Sequence, residues 1–296
     1  MKKRLLPLLF SLILIFAFLF SACTPDETPP SDSASPSPSD SVTPKSGDVL
    51  WECNFSGSKL DMSSWNITTA YTHTAANANG NAEAQYYHTD NVIVDDGLIL
   101  FAQRTSSYSH LHSNFQFTSG KISTQNKVSV SPGSRIEARI KLPVGNRLWP
   151  AFWMLSVNDT YGTWPLSGEI DIMENRGDQA NKTSGAIHFG NPWPGNQYKD
   201  VSQSTAGSIT SWHTYAVEWE TTQIRWYVDG KLIEAYTQSA WFTNGSTKDA
   251  APFDKDFYII LNLAVGSNST KFTSGSAAAA WDYAEMNVEY VRIIKL

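Results

Sequence analysis

Two cysteines in 296 residues are too few for a disulfide framework or a cysteine-rich zinc fold. Basic residues are scarce as well: 22 Lys plus Arg stand against 28 Asp plus Glu, a formal net charge of -6. A chain with no basic surplus has little with which to neutralise phosphates, so nucleic acid is not an expected partner. Charge is thin overall at 17%, yet 41% of the residues are hydrophobic, which is too apolar for a disordered protein. Amphipathic helical periodicity is missing over any useful length. Only the four alanines at 277–280 offer material for a single helical turn. No internal repeat is present. What the chain has in plenty is aromatic surface, with 11 Trp, 12 Tyr and 14 Phe. Such rings fill cores, and their flat faces also suit stacking on the flat faces of ligands such as sugars.

The N-terminal stretch reads as an address. Lys2, Lys3 and Arg4 precede an almost wholly apolar run from Leu5 to Phe20, followed by Ser21-Ala22-Cys23. Positive residues, an apolar stretch somewhat short of a membrane span, and small residues before a cut describe a signal peptide over 1–22. Phe20-Ser21-Ala22-Cys23 resembles a bacterial lipobox, in which the cysteine is lipidated and becomes the first mature residue; Phe20 stands where Leu is usual. Residues 24–47 hold six Pro, seven Ser and four acidic residues. That composition cannot bury a core and is expected to form a flexible tether, so 23–47 is a lipidated cysteine plus linker. Loss of Lys2, Lys3 and Arg4 takes the net charge from -6 to -9 in the mature chain. The expected location is extracellular, at a bacterial cell surface through a lipid on Cys23, with plain secretion as the alternative. Cys53 is then a lone thiol, expected to be buried and inert. Nothing in the sequence argues for an oligomer, and a monomer is expected.

Residues 48–296 read as one all-β domain of two packed antiparallel sheets. Arg135 to Leu142 alternates charged and apolar residues with period two and stops at Pro143. Ile224-Arg225-Trp226-Tyr227-Val228, then Asp229-Gly230, then Lys231-Leu232-Ile233 is a hairpin signal. Phe257 to Val265 is nearly continuous apolar sequence, expected as a strand buried on both faces, and Glu289 to Ile294 closes the chain as another strand.

The sharpest local feature is Ser167-Gly168-Glu169-Ile170-Asp171-Ile172-Met173-Glu174-Asn175. On a strand, Glu169 and Asp171 share one face while Ile170 and Ile172 take the other. Strict alternation would send Glu174 into the core, where a carboxylate is expensive. One extra residue, a β-bulge at Met173, would return it to the face of the other two acids. Three packed carboxylates push their pKa values apart, so one stays ionised while another keeps a proton. Glycoside hydrolysis needs that pair, one group to attack the anomeric carbon and one to protonate the leaving oxygen. An acidic solvated edge or a calcium site would use the same residue types. The neighbouring sequence leans toward sugar: Trp149, Trp153, Trp164 and Trp193 surround the acidic segment, with His188 just downstream.

At these residues the chain resembles glycoside hydrolase family 16, and within it the laminarinase-like endo-1,3-β-glucanases. Glu169, Asp171 and Glu174 match the family's Glu-x-Asp-x-x-Glu signature, with the extra residue of its laminarinase form. The resemblance runs through the whole folded part. It takes in Gly80-Asn81-Ala82-Glu83-Ala84-Gln85-Tyr86-Tyr87, Trp149 to Leu155, Tyr215 to Trp219, Ile224 to Gly230 and Leu261 to Gly266. It implies a β-jelly-roll sandwich and endo-acting, retaining cleavage of 1,3-β-glucosidic bonds in β-glucans such as laminarin. It implies Glu169 as nucleophile, Glu174 as acid and then base, and Asp171 as partner of the nucleophile. It also implies sugar contacts from Asn81, Arg104, Trp149, Trp153 and Trp164, and from His188 on the leaving side. No cofactor is implied for catalysis. Members often bind a structural calcium away from the cleft; Gly97 matches a Gly of that site, and Glu289 stands where an Asp is usual. Three alternatives remain open at the level of sequence. One is the same chemistry on mixed-linkage 1,3-1,4-β-glucan or a galactan, another is transglycosylation, and the last is a non-catalytic carbohydrate-binding or adhesive surface lipoprotein.

Overall fold

The computed structural model describes residues 47–69, 81, 83–110, 113–205, 207–268, 270, 272–273 and 278–296. The expected signal peptide and nearly all of the linker, Cys23 included, lie outside the described residues. Seventeen strands are defined: β1 Val49–Cys53, β2 Asn66–Ile67, β3 Gln85–Tyr87, β4 Val92–Val94, β5 Leu98–His110, β6 Ser113–Ser119, β7 Lys121–Ser123, β8 Ser134–Lys141 and β9 Leu148–Ser156. They continue with β10 Glu169–Glu174, β11 Lys182–Gly190, β12 Asn196–Ser204, β13 His213–Trp219, β14 Gln223–Val228, β15 Lys231–Thr237, β16 Phe257–Val265 and β17 Tyr283–Lys295. Helix among the described residues is confined to two single-turn 3-10 pieces, Thr89–Asn91 and Gln238–Ala240. The alanines at 278–280 carry no regular structure, against the expected helical turn. No helix among the described residues is long and apolar enough to cross a membrane.

The strands form the expected all-β jelly-roll sandwich. The larger sheet has ten strands in the order β15-β14-β13-β8-β17-β5-β6-β3, with β1 on β17 and β4 on β5. The smaller has seven, in the order β12-β11-β10-β9-β16-β7-β2. Between the described strands pairing is antiparallel except where Gln85–Tyr87 runs parallel to Phe117–Ser119; outside them, Gly190 also bridges Thr243 in parallel.

The core lies between the sheets. Trp65, Trp219, Trp226, Phe152 and Phe257 are fully buried there, and Trp219 meets Phe257 edge-on at 5.0 Å. β16 is buried along its whole length: one set of side chains enters the core and the other floors the opposite face. The hairpin closes at Asp229 (φ +50°) and Gly230 (φ +76°), the left-handed pair that a two-residue turn of this kind requires. Alternation on β8 is less clean than the sequence suggests, because Arg135 and Glu137 are buried. β8 is mid-sheet, and these two residues pair with each other at 2.9 Å while Arg135 also reaches Glu218 at 3.3 Å. Cys53 is half-buried rather than buried; it accepts from Trp65 Nε1 at 3.4 Å, and burial pushes its thiol pKa up.

Candidate active site

β10 lies in the middle of the smaller sheet, between β9 and β11. Ile170 and Ile172 enter the core and are fully buried, which turns Glu169 and Asp171 to the opposite face. The register then slips. Asp171 faces Trp153 on β9, but Met173, not Ile172, faces Phe152. On the β11 side Asp171 is opposite Ala186 and Glu174 is opposite Ser184. Ile172 and Met173 together occupy one partner's place, the bulge expected from the sequence. Met173 is fully buried and Glu174 rejoins the face of the other acids.

Pairing spreads three rows of side chains across this face. Tyr198, His188, Glu169, Leu155 and Tyr258 form the first. Asp200, Ala186, Asp171, Trp153 and Ile260 form the second. Ser202, Ser184, Glu174, Ala151, Asn262 and Lys121 form the third. The acids thus sit where a ligand lying across the strands would pass over them.

Each acid has a partner on this face. Trp164 Nε1 donates to Glu169 Oε2, and Trp149 Nε1 donates to Glu174 Oε1 at 2.8 Å. His188 Nε2 lies 3.2 Å from Asp171 Oδ2, an ion-pair contact that is out of line for a hydrogen bond. Asp171 is only 2% exposed. Burial, and then the charge of Glu169, push its carboxyl up to about 7. Burial, and then Asp171, push Glu174 up to about 8, against the pull of the Trp149 indole and of His188. Burial opposes charge on His188, but Glu169 and Asp171 outweigh it and raise the imidazole to about 10. Near neutral pH the strip therefore holds a protonated Glu174 beside an imidazolium, a distribution suited to giving a proton away.

Glu169, Asp171 and His188 bring ligand atoms within 4.8 Å of one another, the one such gathering of three among the described residues. Glu169 already accepts from Trp164, and Asp171 faces His188, so this set fits proton chemistry better than coordination. The calcium donors expected at Gly97 and Glu289 each have a protein partner. Glu289 is engaged by Arg139, and the Gly97 carbonyl accepts from the Asp95 amide at 2.9 Å.

The aromatic residues singled out from the sequence divide by role. Trp149 stacks on Phe272, 4.7 Å between ring centroids at 20°, so one of its faces is already covered. Trp153 donates to Asn262 Oδ1 at 2.7 Å, and the Lys121 ammonium sits 5.1 Å over its ring. Trp164 lies 5.8 Å from Trp193 and 6.2 Å from His188, and His188 stacks on Tyr198 at 5.8 Å. Trp193 and Tyr198 are 40% and 57% exposed. The four rings make a continuous aromatic wall on the β11–β12 side of the acids.

Arg104 is not joined to the acids by any contact among the described residues. It belongs to β5 in the other sheet, where it donates to the Ala279 carbonyl at 2.6 Å, pairs with Asp282 at 3.2 Å and covers Phe117. Asn81 is exposed, between residues outside the described set. Sequence reasoning missed Lys121, Asn262 and Tyr198. Lys121 and Asn262 join the row of Glu174 only through strand pairing, and Tyr87 braces them from behind by accepting from Asn262 at 3.2 Å. For Tyr198 the available signal was a bulky aromatic in a strand otherwise rich in polar residues.

The sequence profile of "Glycosyl hydrolases family 16" matches residues 79–285. A "Glucan endo-1,3-beta-glucosidase A1" of Niallia circulans is 41% identical over 266 residues, a match that covers 83% of this chain and 38% of that protein. A "Glucan endo-1,3-beta-glucosidase" of Cryptopygus antarcticus is 35% identical over 257 residues, covering 82% of this chain and 90% of that protein. Among solved structures, an endo-β-1,3-glucanase from Pyrococcus furiosus superposes with a TM-score of 0.71 at 31% identity, covering 83% of this chain and 94% of the other.

Proposed function

The chain belongs to glycosyl hydrolases family 16, and from that premise we propose that it hydrolyses internal 1,3-β-glucosidic bonds of β-glucans such as laminarin with retention of configuration. The observation that carries the reading is the strip itself: Glu169, Asp171 and Glu174 on one face, with Glu174 held protonated by burial and by Asp171. The aromatic wall of Trp193, Trp164, His188 and Tyr198 gives the flat surfaces that sugar rings stack on.

The chemistry runs in two displacements. The Glu169 carboxylate attacks the anomeric carbon, the glycosidic C–O bond breaks, and the departing oxygen takes the Glu174 proton. A glycosyl ester on Glu169 results. Glu174, now a carboxylate, takes a proton from water, whose oxygen attacks the same carbon and expels Glu169. Asp171, beside Glu169 and His188, sets how the charge of the strip is shared. Trp164 orients the nucleophile and Trp149 the acid through their indole N–H groups. Trp153 offers a ring to the sugar on the other side of the strand, while Asn81 and Arg104 are assigned to more distant sugars. The same reading has Cys23 lipidated and the domain tethered at a bacterial surface. Labelling with a fatty-acid analogue, abolished in Cys23→Ala, tests that part.

The activity is tested by product analysis on laminarin, mixed-linkage glucan and a 1,4-linked control, with Glu169→Ala alongside. Short 1,3-linked oligosaccharides at early times from laminarin, absent with the variant, are expected. Cleavage of only the mixed-linkage chain would move the substrate. No product from any glucan, with binding retained, would mean a binding protein.

A further inference from the structure

The bulge interrupts the strand ladder at Ile172 and Met173, and the carbonyls of Asp171 and Ile172 are received by side chains from elsewhere. Trp226 Nε1, reaching across the sandwich from β14, donates to the Asp171 carbonyl at 2.9 Å. Gln203 Nε2, on the edge strand β12, donates to the Ile172 carbonyl at 3.0 Å. Both side chains are fully buried. A buried amide needs partners, and Gln203 has one at each end. Thr183 Oγ1 donates to Gln203 Oε1 at 2.8 Å from the neighbouring strand, which fixes the amide with its NH2 toward Ile172. Gly185 keeps the path to Asp171 open: a Cβ there would stand 2.6 Å from Trp226 Nε1 and 2.8 Å from the Asp171 carbonyl.

None of these side chains lies on the cleft face. Gln203 and Thr183 alternate with Ser202 and Ser184, which are in the row of Glu174. The Trp226 and Gln203 donors go to the carbonyls on either side of Ile172, the residue left without a partner on β9, whose insertion decides which way Glu174 points. A strand without the bulge would send Glu174 inward. An Ile172 carbonyl without its donor would be pulled back toward regular pairing, because a buried carbonyl left unpaired is costly.

We infer that Gln203 and Trp226, with Thr183 and Gly185 behind them, are positioning residues for Glu174, holding the bulge in the register that turns this carboxyl to the cleft. The inference rests on the reading of Glu174 as acid/base given above. It assigns them an effect confined to steps that need the acid.

The test compares two substrates in Gln203→Leu and Trp226→Phe, with Thr183→Val as a gentler variant that keeps the amide but frees its orientation. Glucan hydrolysis requires a proton on a poor leaving group. A dinitrophenyl β-laminaribioside does not, since its leaving group departs as an anion. In Gln203→Leu, kcat/KM on laminarin is expected to fall roughly 100-fold, the scale of a general acid's contribution, and on the aryl substrate by about threefold or less. Trp226→Phe and Thr183→Val should follow in the same direction with smaller losses. Equal losses on both substrates, or none on either, overturn the inference.

A second readout does not depend on turnover. Carboxyl-13C glutamate resonances, with Glu174 assigned through Glu174→Gln, report its titration among the groups that face it: Asp171, His188, Asp200 and the Trp149 indole. In Gln203→Leu or Thr183→Val the Glu174 midpoint should leave its wild-type value by roughly one unit or more. An unchanged midpoint overturns the positioning role whatever the enzyme cleaves. A wild type that cleaves no glucan would sink the assigned activity, and the titration would still decide the role of Gln203.

Discussion

Trp149 Nε1 donates to Glu174 Oε1 at 2.8 Å while its ring stacks on Phe272 at 4.7 Å. The indole is clamped on one face and spends its single donor on the acid. A donor to a carboxylate favours the ionised form, so Trp149 holds Glu174 lower than burial and Asp171 alone would.

Trp149→Phe should therefore raise the Glu174 pKa above about 8 and move the alkaline limb of kcat/KM upward, even as the rate at neutral pH falls through looser orientation. The pH profile checks this. A limb that moves downward would mean that the indole does not act on Glu174 as described.

His188 is a cation set against two carboxylates. Its removal in His188→Leu leaves Asp171 without that charge, so Asp171 binds its proton more tightly. The acidic limb of the profile should climb by roughly one to three units, narrowing the active range from below. An acidic limb that stays put would make His188 a packing residue.

Glu174 also costs stability where it is useful. Its folded pKa is raised from an ordinary 4.5 to about 8. Within that window the folded state keeps a proton that the unfolded chain has released, so stability falls as pH rises through it and levels off above. Glu174→Gln abolishes this titration. The variant should melt higher than wild type near about pH 9, with the gap closing toward about pH 4, as read by Tm across pH. A gap independent of pH would contradict the assignment.

Tyr198 and Trp193 are exposed at the end of the aromatic wall. Tyr198→Ala and Trp193→Ala should each raise KM for long glucans roughly two- to tenfold, the scale of an aromatic contact, and leave kcat on short substrates unchanged. Unchanged KM on long chains would exclude these rings from the substrate path.

Much of this architecture is legible in the chain because it is written in local patterns. The apolar run from Phe257 to Val265, the Asp229-Gly230 turn and the extra residue between Asp171 and Glu174 all appear as observed. What does not appear is whatever depends on the second sheet or on pairing. Trp226 reaches the Asp171 carbonyl from 55 residues away, and Gln203 reaches Ile172 from 31. Read along the chain, Gln203 is one polar residue in a polar edge strand. Arg135 and Glu137 look solvated for the same reason, since only the strands on either side of β8 cover them.

The division of roles between Glu169 and Glu174 is tested most directly by the stereochemistry of azide rescue. Glu169→Ala, incubated with azide and an activated β-laminaribioside, should give an α-glycosyl azide, because azide then enters from the side the missing nucleophile occupied. A β-glycosyl azide would mean that the covalent step had survived the loss of Glu169, and would contradict the account.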